Sequence, residues 1–88
     1  MVSDSRALVT PLLITYNEEA NIARTLECLQ WANRIVVVDS GSTDRTLQLL
    51  ARVPQVQIVY RPFDTFAAQC NYGLTFIDTP WCLSLDAD

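Results

Sequence analysis

Ile35-Val36-Val37-Val38-Asp39-Ser40-Gly41-Ser42 is the stretch on which the reading of this chain turns. Four consecutive β-branched residues with no polar alternation mark a strand buried on both faces of a parallel sheet. The run then breaks into an aspartate, two serines and a glycine, the chemistry of a turn entering a helix. It belongs to an apolar run from Arg34 to Val38, and three more short runs surround it: Leu8 to Thr15, Val56 to Tyr60 and Trp81 to Leu85. Between the runs lie stretches with helical spacing. Ile22, Leu26 and Leu29 form one stripe, Leu47 and Leu50 a second, and Phe66, Cys70, Leu74 and Ile77 a third.

Helix start signals sit where this pattern needs them. Asn17 precedes Glu18 and Glu19, a capping side chain followed by carboxylates that the helix dipole favours. Ser42 with Asp44 opens the second helix, and Asp64 or Thr65 caps the third. Pro54 and Pro62 fall in connections and Pro80 stands just before the last strand. Gly73 lies inside the third helix at a cost of about 1 kcal/mol against alanine, which makes that helix the weakest by propensity. Strand and helix alternate three times and a fourth strand follows. The fold class is therefore α/β, a Rossmann-like parallel sheet with right-handed crossovers. Residues 1–88 read as one unit, with no internal repeat or linker.

Composition narrows the function. Ten acidic residues against six basic ones give a net charge of −4, and every basic residue is arginine. No basic face is available to neutralise phosphates along a nucleic acid, so nucleic acid is not an expected partner. Half of the residues are hydrophobic, which excludes a disordered segment. No apolar run approaches the roughly 20 residues that span a bilayer, and the first six residues lack the pattern of a secretory signal. Cys28, Cys70 and Cys82 match no zinc spacing and read as reduced, mostly buried thiols, consistent with a cytoplasmic location. With no histidine in the chain, Ser-His and Cys-His catalysis and histidine metal sites are excluded.

Open α/β sheets bind ligands outside the carboxyl ends of their strands. Those ends are polar here: Thr15-Tyr16-Asn17 after the first strand, Asp39-Ser40-Gly41-Ser42 after the second, Asp86-Ala87-Asp88 after the last. The third strand ends in Tyr60-Arg61, and Arg61 brings positive charge to the same edge. Tyr16 either covers the sheet edge or stacks on a planar base. An ionised Asp39 can accept hydrogen bonds from a base N–H or a ribose hydroxyl. The turn Ser40-Gly41-Ser42 can turn its amides toward an anion. Asp86 and Asp88, one residue apart, offer hard oxygen ligands suited to Mn2+ or Mg2+, with substrate phosphate completing the shell.

Together these segments resemble the amino-terminal half of a family 2 glycosyltransferase of the GT-A fold. The resemblance is carried by Ile14-Thr15-Tyr16-Asn17-Glu18-Glu19, by Val36 to Thr46, by Phe66-Ala67-Ala68-Gln69 with Asn71, and by Leu83-Ser84-Leu85-Asp86-Ala87-Asp88. It implies inverting transfer of a sugar from a nucleotide-diphosphate donor, UDP foremost, to an acceptor hydroxyl. It also implies that Tyr16 and Asp39 hold the base, and that Asp86 and Asp88 meet the ribose and the metal on the diphosphate. Thr15, Asn17, Ser40, Gly41 and Arg61 complete the expected donor site. The resemblance places the general base downstream, so the chain alone is expected to be inactive and to end at the D-x-D motif of a larger domain. Cys70 departs from the family, which often carries a basic residue there, and reads as packing. Branches with Tyr-Asn-Glu-Glu and Asp-Ser-Gly-Ser-Thr-Asp build lipopolysaccharide cores or other surface glycans at the inner membrane face. That implies a glycan or lipid-linked acceptor and peripheral membrane association. An uncovered last strand implies self-association. Two other readings compete: a non-catalytic α/β module that binds a nucleotide or a protein, and a metal-dependent phosphatase of the haloacid dehalogenase type. In the phosphatase D-x-D opens the domain and supplies the nucleophile, whereas here it follows three strand–helix units.

Overall fold

The alternation read from the sequence produces seven elements: β1 (Val9–Thr15), α1 (Glu19–Cys28), β2 (Ile35–Asp39), α2 (Thr46–Ala51), β3 (Val56–Tyr60), α3 (Phe66–Leu74) and β4 (Trp81–Asp86). The computed structural model describes residues 8–86, with side chains described through residue 85. All strand pairs are parallel, in the order β3-β2-β1-β4. The chain winds outward from β1 through β2 to β3, then crosses back to place β4 on the other side of β1. The four strand runs stand as read, to within a residue at four ends. The α/β class with a Rossmann-like parallel sheet holds.

The continuous apolar character of β2 has the consequence inferred for it: all five of its residues are buried. Successive side chains leave a strand on opposite faces. Leu13, Ile35 and Val37 therefore face α1 and α2, where they pack with Ile22, Leu26, Leu29, Ala32 and Leu50. Leu12, Val36 and Val38 face the other way, with Tyr72, Phe76 and Ile77 from α3 and the turn after it. Each fully buried leucine, isoleucine or valine contributes about 1.5–3 kcal/mol to this two-sided core. The α1 stripe of Ile22, Leu26 and Leu29 is buried as its spacing required.

Two helices are rotated from the faces their apolar spacing indicated. In α2 the buried side chains are Thr46 and Leu50, and Leu47 is exposed. The cause is Thr46, whose hydroxyl is drawn inward to accept the amide of Glu18 at 2.8 Å and so sets the rotation of the helix. In α3 the stripe Phe66-Cys70-Leu74-Ile77 is not the core face. Phe66 and Leu74 are exposed, Cys70 and Ile77 are half-buried, and the buried residues are Gln69 and Gly73. Gly73 decides this. A Cβ there would overlap Leu12 Cδ1 and stand 3.0 Å from Val38 Cγ2, so the missing side chain lets the helix backbone lie on the sheet. The helix-propensity cost of Gly73 is the condition of close α3–sheet packing. Tyr72 and Phe76 flank it with rings edge to face at 5.2 Å.

Cys28, Cys70 and Cys82 are all free thiols, as their spacing indicated, but Cys28 and Cys82 are exposed rather than buried. Among the described residues no helix is long and apolar enough to cross a membrane. The strand β4 forms one edge of the sheet, and Trp81 on it is 67% exposed.

Candidate donor-binding edge

The parallel register brings the carboxyl ends of β1, β2 and β3 level: Thr15 pairs with Asp39, and Asp39 with Tyr60. The connections leaving these strands must therefore share one edge. Asp39 organises it. Its side chain is 1% exposed. Oδ1 accepts the Thr15 hydroxyl at 2.7 Å and the Ser42 hydroxyl at 2.6 Å. Oδ2 accepts the amides of Gly41 at 2.9 Å and Ser42 at 2.8 Å. A carboxylate has about four acceptor positions, and all are taken within the chain. The turn closes through Gly41, whose φ of 109° is open to glycine but strained for any other residue. A side chain at that position would also reach the Tyr60 ring at 3.5 Å.

The connection after β1 is sewn to the connection after β2. Asn17 does not cap α1 from its own side chain: the helix begins at Glu19, and its cap residue Glu18 makes no side-chain capping bond. Asn17 instead sits at φ 52°, a left-handed conformation that asparagine tolerates. There its Oδ1 accepts the amides of Thr43 at 2.8 Å and Asp44 at 3.3 Å, while its own amide donates to Ser42 Oγ at 2.9 Å. The start of α1 is capped from across the gap: Glu18 N donates to Thr46 Oγ1 and Glu19 N to Asp44 Oδ2. The favour is returned when Arg45 N donates to Glu19 Oε1. Two helix starts thus satisfy one another's orphan amides. Asp44 also accepts the amide and hydroxyl of Thr46, the start signal expected for α2, with Arg45 rather than Ser42 at the cap position. Partial burial pushes the Asp44 carboxyl up, but the bonds from Thr46 and Glu19 outweigh it and hold it below the usual carboxylate range.

The connection after β3 is pinned at both ends. Arg61 N donates to the carbonyl of Asp39 at 3.0 Å. The Arg61 guanidinium donates to Asp64 Oδ1 at 2.8 Å and to Gln69 Oε1 at 3.0 Å, and Gln69 Nε2 returns to the Arg61 carbonyl at 3.1 Å. Gln69 is fully buried, so this exchange replaces the water both groups give up. The guanidinium hydrogen bond, and then the Thr65 amide, hold the Asp64 carboxyl below its usual range. Thr65 caps α3 by accepting Ala68 N at 3.1 Å, as its position indicated.

Above this framework Tyr16, 56% exposed, lines a cleft of about 510 Å3 together with Ser40 and Phe63. Of the residues singled out from the sequence, Thr15 and Asp39 lie beneath the edge as scaffold, Asn17 and Gly41 shape its turns, and Tyr16 and Ser40 face the cleft. Arg61 lies to the side, its charge engaged by Asp64 at 2.8 Å. The backbone of Asp86 pairs with Ile14 and so ends β4 beside the Thr15–Asp39 step. The Asp86 side chain and Asp88 lie outside the described residues, among which no cluster of three metal-ligating side chains occurs. Sequence reasoning missed Phe63 and the cross-capping by Asp44, Thr46 and Glu19, and it named Gln69 within a motif without its buried bond to Arg61. Phe63 carried a signal all the same, a large aromatic residue between Pro62 and Asp64 in a connection at this edge.

Comparison with known proteins places this edge in context. The sequence profile of glycosyl transferase family 2 matches residues 12–88. A lipopolysaccharide core biosynthesis glycosyltransferase, LpsC of Rhizobium meliloti (strain 1021), is 34% identical over 84 residues, which cover 91% of this chain and 31% of that protein. An uncharacterized glycosyltransferase of Rickettsia bellii (strain RML369-C) is 32% identical, over 91% of this chain and 27% of its own length. Another, of Mycobacterium bovis (strain ATCC BAA-935 / AF2122/97), is 32% identical over the whole chain and 38% of its own length. The chain thus spans about a third of the length of these relatives.

Proposed function

The chain belongs to glycosyl transferase family 2, and from that premise we propose that it forms the donor-binding part of an enzyme transferring a sugar from a nucleotide diphosphate, UDP foremost, to an acceptor hydroxyl with inversion. The observation that supports this most is the locked edge itself. Six hydrogen bonds join the connections after β1 and β2, and the rigid plate so formed holds up an exposed tyrosine ring beside Ser40. Preorganisation of this kind lowers the ordering cost of binding a flexible nucleotide. In this reading Tyr16 stacks on the base and Ser40 and Gly41 meet the nucleoside. Thr15, Asn17 and Asp39 keep the turn in shape, and Arg61 adds positive potential at the side.

An oxygen-only donor pair suits Mn2+ or Mg2+, and the pairing of Asp86 with Ile14 sets the end of β4 next to the plate. Asp86 and Asp88 would hold that ion, which when bound neutralises charge growing on the departing diphosphate. No residue of this chain is proposed as the general base. The relative that acts in lipopolysaccharide core synthesis supports a surface glycan or lipid-linked acceptor, with the enzyme working in the cytoplasm at the inner membrane face. The exposed β4 edge supports self-association or association with further protein.

Calorimetric titration of the chain with UDP, with and without Mn2+, and with ADP and GDP alongside, tests the reading. UDP binding that Mn2+ strengthens and Asp88→Ala abolishes is the expected result. Equal binding of all three nucleotides regardless of metal overturns it.

A further inference from the structure

We propose that Phe63 is the second wall of the base site, so that a planar base is held between the rings of Tyr16 and Phe63 with Ser40 at the floor. The inference rests on the donor-binding reading above and adds a residue and a recognition mode to it.

The geometry is specific. Tyr16 leaves β1, Ser40 leaves β2 and Phe63 lies in the connection after β3, so three separate segments converge on one cleft. Both rings are more than half exposed, 56% for Tyr16 and 58% for Phe63. Among the described residues the one ring pair in contact is Tyr72 with Phe76. Tyr16 and Phe63 therefore line the cleft without closing on each other. An exposed phenylalanine alone means little. Here its backbone is tethered on both sides, by the bonds that also seat the start of α3. Before it, Arg61 is bonded through its amide to Asp39 and through its guanidinium and carbonyl to the buried Gln69. After it, Asp64 Oδ1 accepts both the Arg61 guanidinium and the Thr65 amide, and Thr65 caps α3. Only Pro62 and Phe63 bow outward between these anchors, and proline restricts that bow further. The loop presents a ring at a fixed place in the cleft that Tyr16 also lines. Two exposed aromatic rings with a serine in the same lining fit a flat heterocycle with polar edges.

The test titrates the chain with two probes: UDP, and inorganic pyrophosphate with the same metal, which shares the diphosphate but has no base. Phe63→Ala should weaken UDP binding by about 5- to 150-fold, the range of one base–aromatic stack, and leave pyrophosphate binding unchanged. Phe63→Trp should keep UDP binding, and its added indole fluorescence should be quenched by UDP and not by pyrophosphate. Because Phe63 is exposed, both variants should retain the far-ultraviolet circular dichroism of the parent; the Trp variant decides the matter if the Ala variant does not fold. Undiminished UDP affinity in Phe63→Ala, alongside loss in Tyr16→Ala, overturns the second wall and leaves the donor site standing. Failure of the parent chain to bind UDP at all overturns the donor-binding reading and the inference with it.

Discussion

Replacing Asp39 tests the scaffold on which the whole edge depends. Its carboxylate is 1% exposed and accepts four hydrogen bonds, two from hydroxyls at Oδ1 and two from amides at Oδ2. Alanine removes all four and strands the Thr15 hydroxyl, which is itself 1% exposed. Hydrogen bonds to a charged acceptor contribute about 1.5–3 kcal/mol each, and a stranded buried donor costs about 1–3 kcal/mol. Gly41 and Ser42 are half-buried, so water relieves part of the loss at their amides. The sum for Asp39→Ala is about 3–5 kcal/mol. Asparagine behaves differently. With its oxygen toward the two amides and its NH2 toward the two hydroxyls, which can turn to accept, it keeps the bond count and loses mainly the charge. A cost of about 1–2 kcal/mol follows. Urea unfolding followed by circular dichroism gives both values. A domain of this size holds about 4–13 kcal/mol of stability in all, so the alanine variant should lose a large share of its midpoint and the asparagine variant much less. An alanine variant within 1 kcal/mol of the parent, or an asparagine variant as damaged as the alanine one, would refute the claim that this carboxylate holds the turn.

Three further outcomes follow from the packing and the capping. Gly73→Ala should destabilise by about 1–2 kcal/mol in the same unfolding assay, since overpacking against Leu12 and Val38 exceeds the gain of about 1 kcal/mol in helix propensity. Asn17→Ala should cost about 1–2 kcal/mol, through the bonds to Thr43 and Asp44 and the strain of a φ of 52°; Asn17→Gly should recover the part owed to strain. The Asp44 carboxyl is held below its usual range in the folded chain, so its stabilising effect is full above the ordinary value near pH 4 and is lost as pH falls through the lowered one. The advantage of the parent over Asp44→Asn should accordingly vanish in acid, as read from urea midpoints at a series of pH values; an advantage that persisted below pH 2 would show that the charge is not its source.

The fold was legible because its signals were local and redundant. Ile35 to Val38 admit one interpretation as a strand, and Ile22, Leu26 and Leu29 leave little choice of helix face. The orientation of α3 was not legible. It depends on a residue with no side chain, Gly73, and on a buried glutamine that reaches Arg61, and apolar spacing registers neither. Asn17 illustrates a second limit. Its type and place matched a helix cap, yet an asparagine before a helix can equally take a left-handed turn and bond another segment; the register of β1 against β2 brings that segment within reach. Tyr16, Ser40 and Asp39 were legible as edge residues from their position after strands, whereas Asp39's inward role required the four donors to be seen around it. Phe63 went unread because Tyr16, with which it lines the cleft, lies 47 positions earlier in the chain.

The central claim is that a nucleotide diphosphate binds at the carboxyl edge between Tyr16 and Phe63. Amide chemical-shift mapping of the 15N-labelled chain during UDP addition with Mg2+ tests it most directly. The account predicts saturable shifts at Tyr16, Ser40, Gly41, Phe63 and Asp86, while a separate groove of about 440 Å3 lined by Leu26 of α1, Leu49 of α2 and Arg52 after it stays unaffected. Shifts centred on that groove, or none at all from a folded chain, would contradict it.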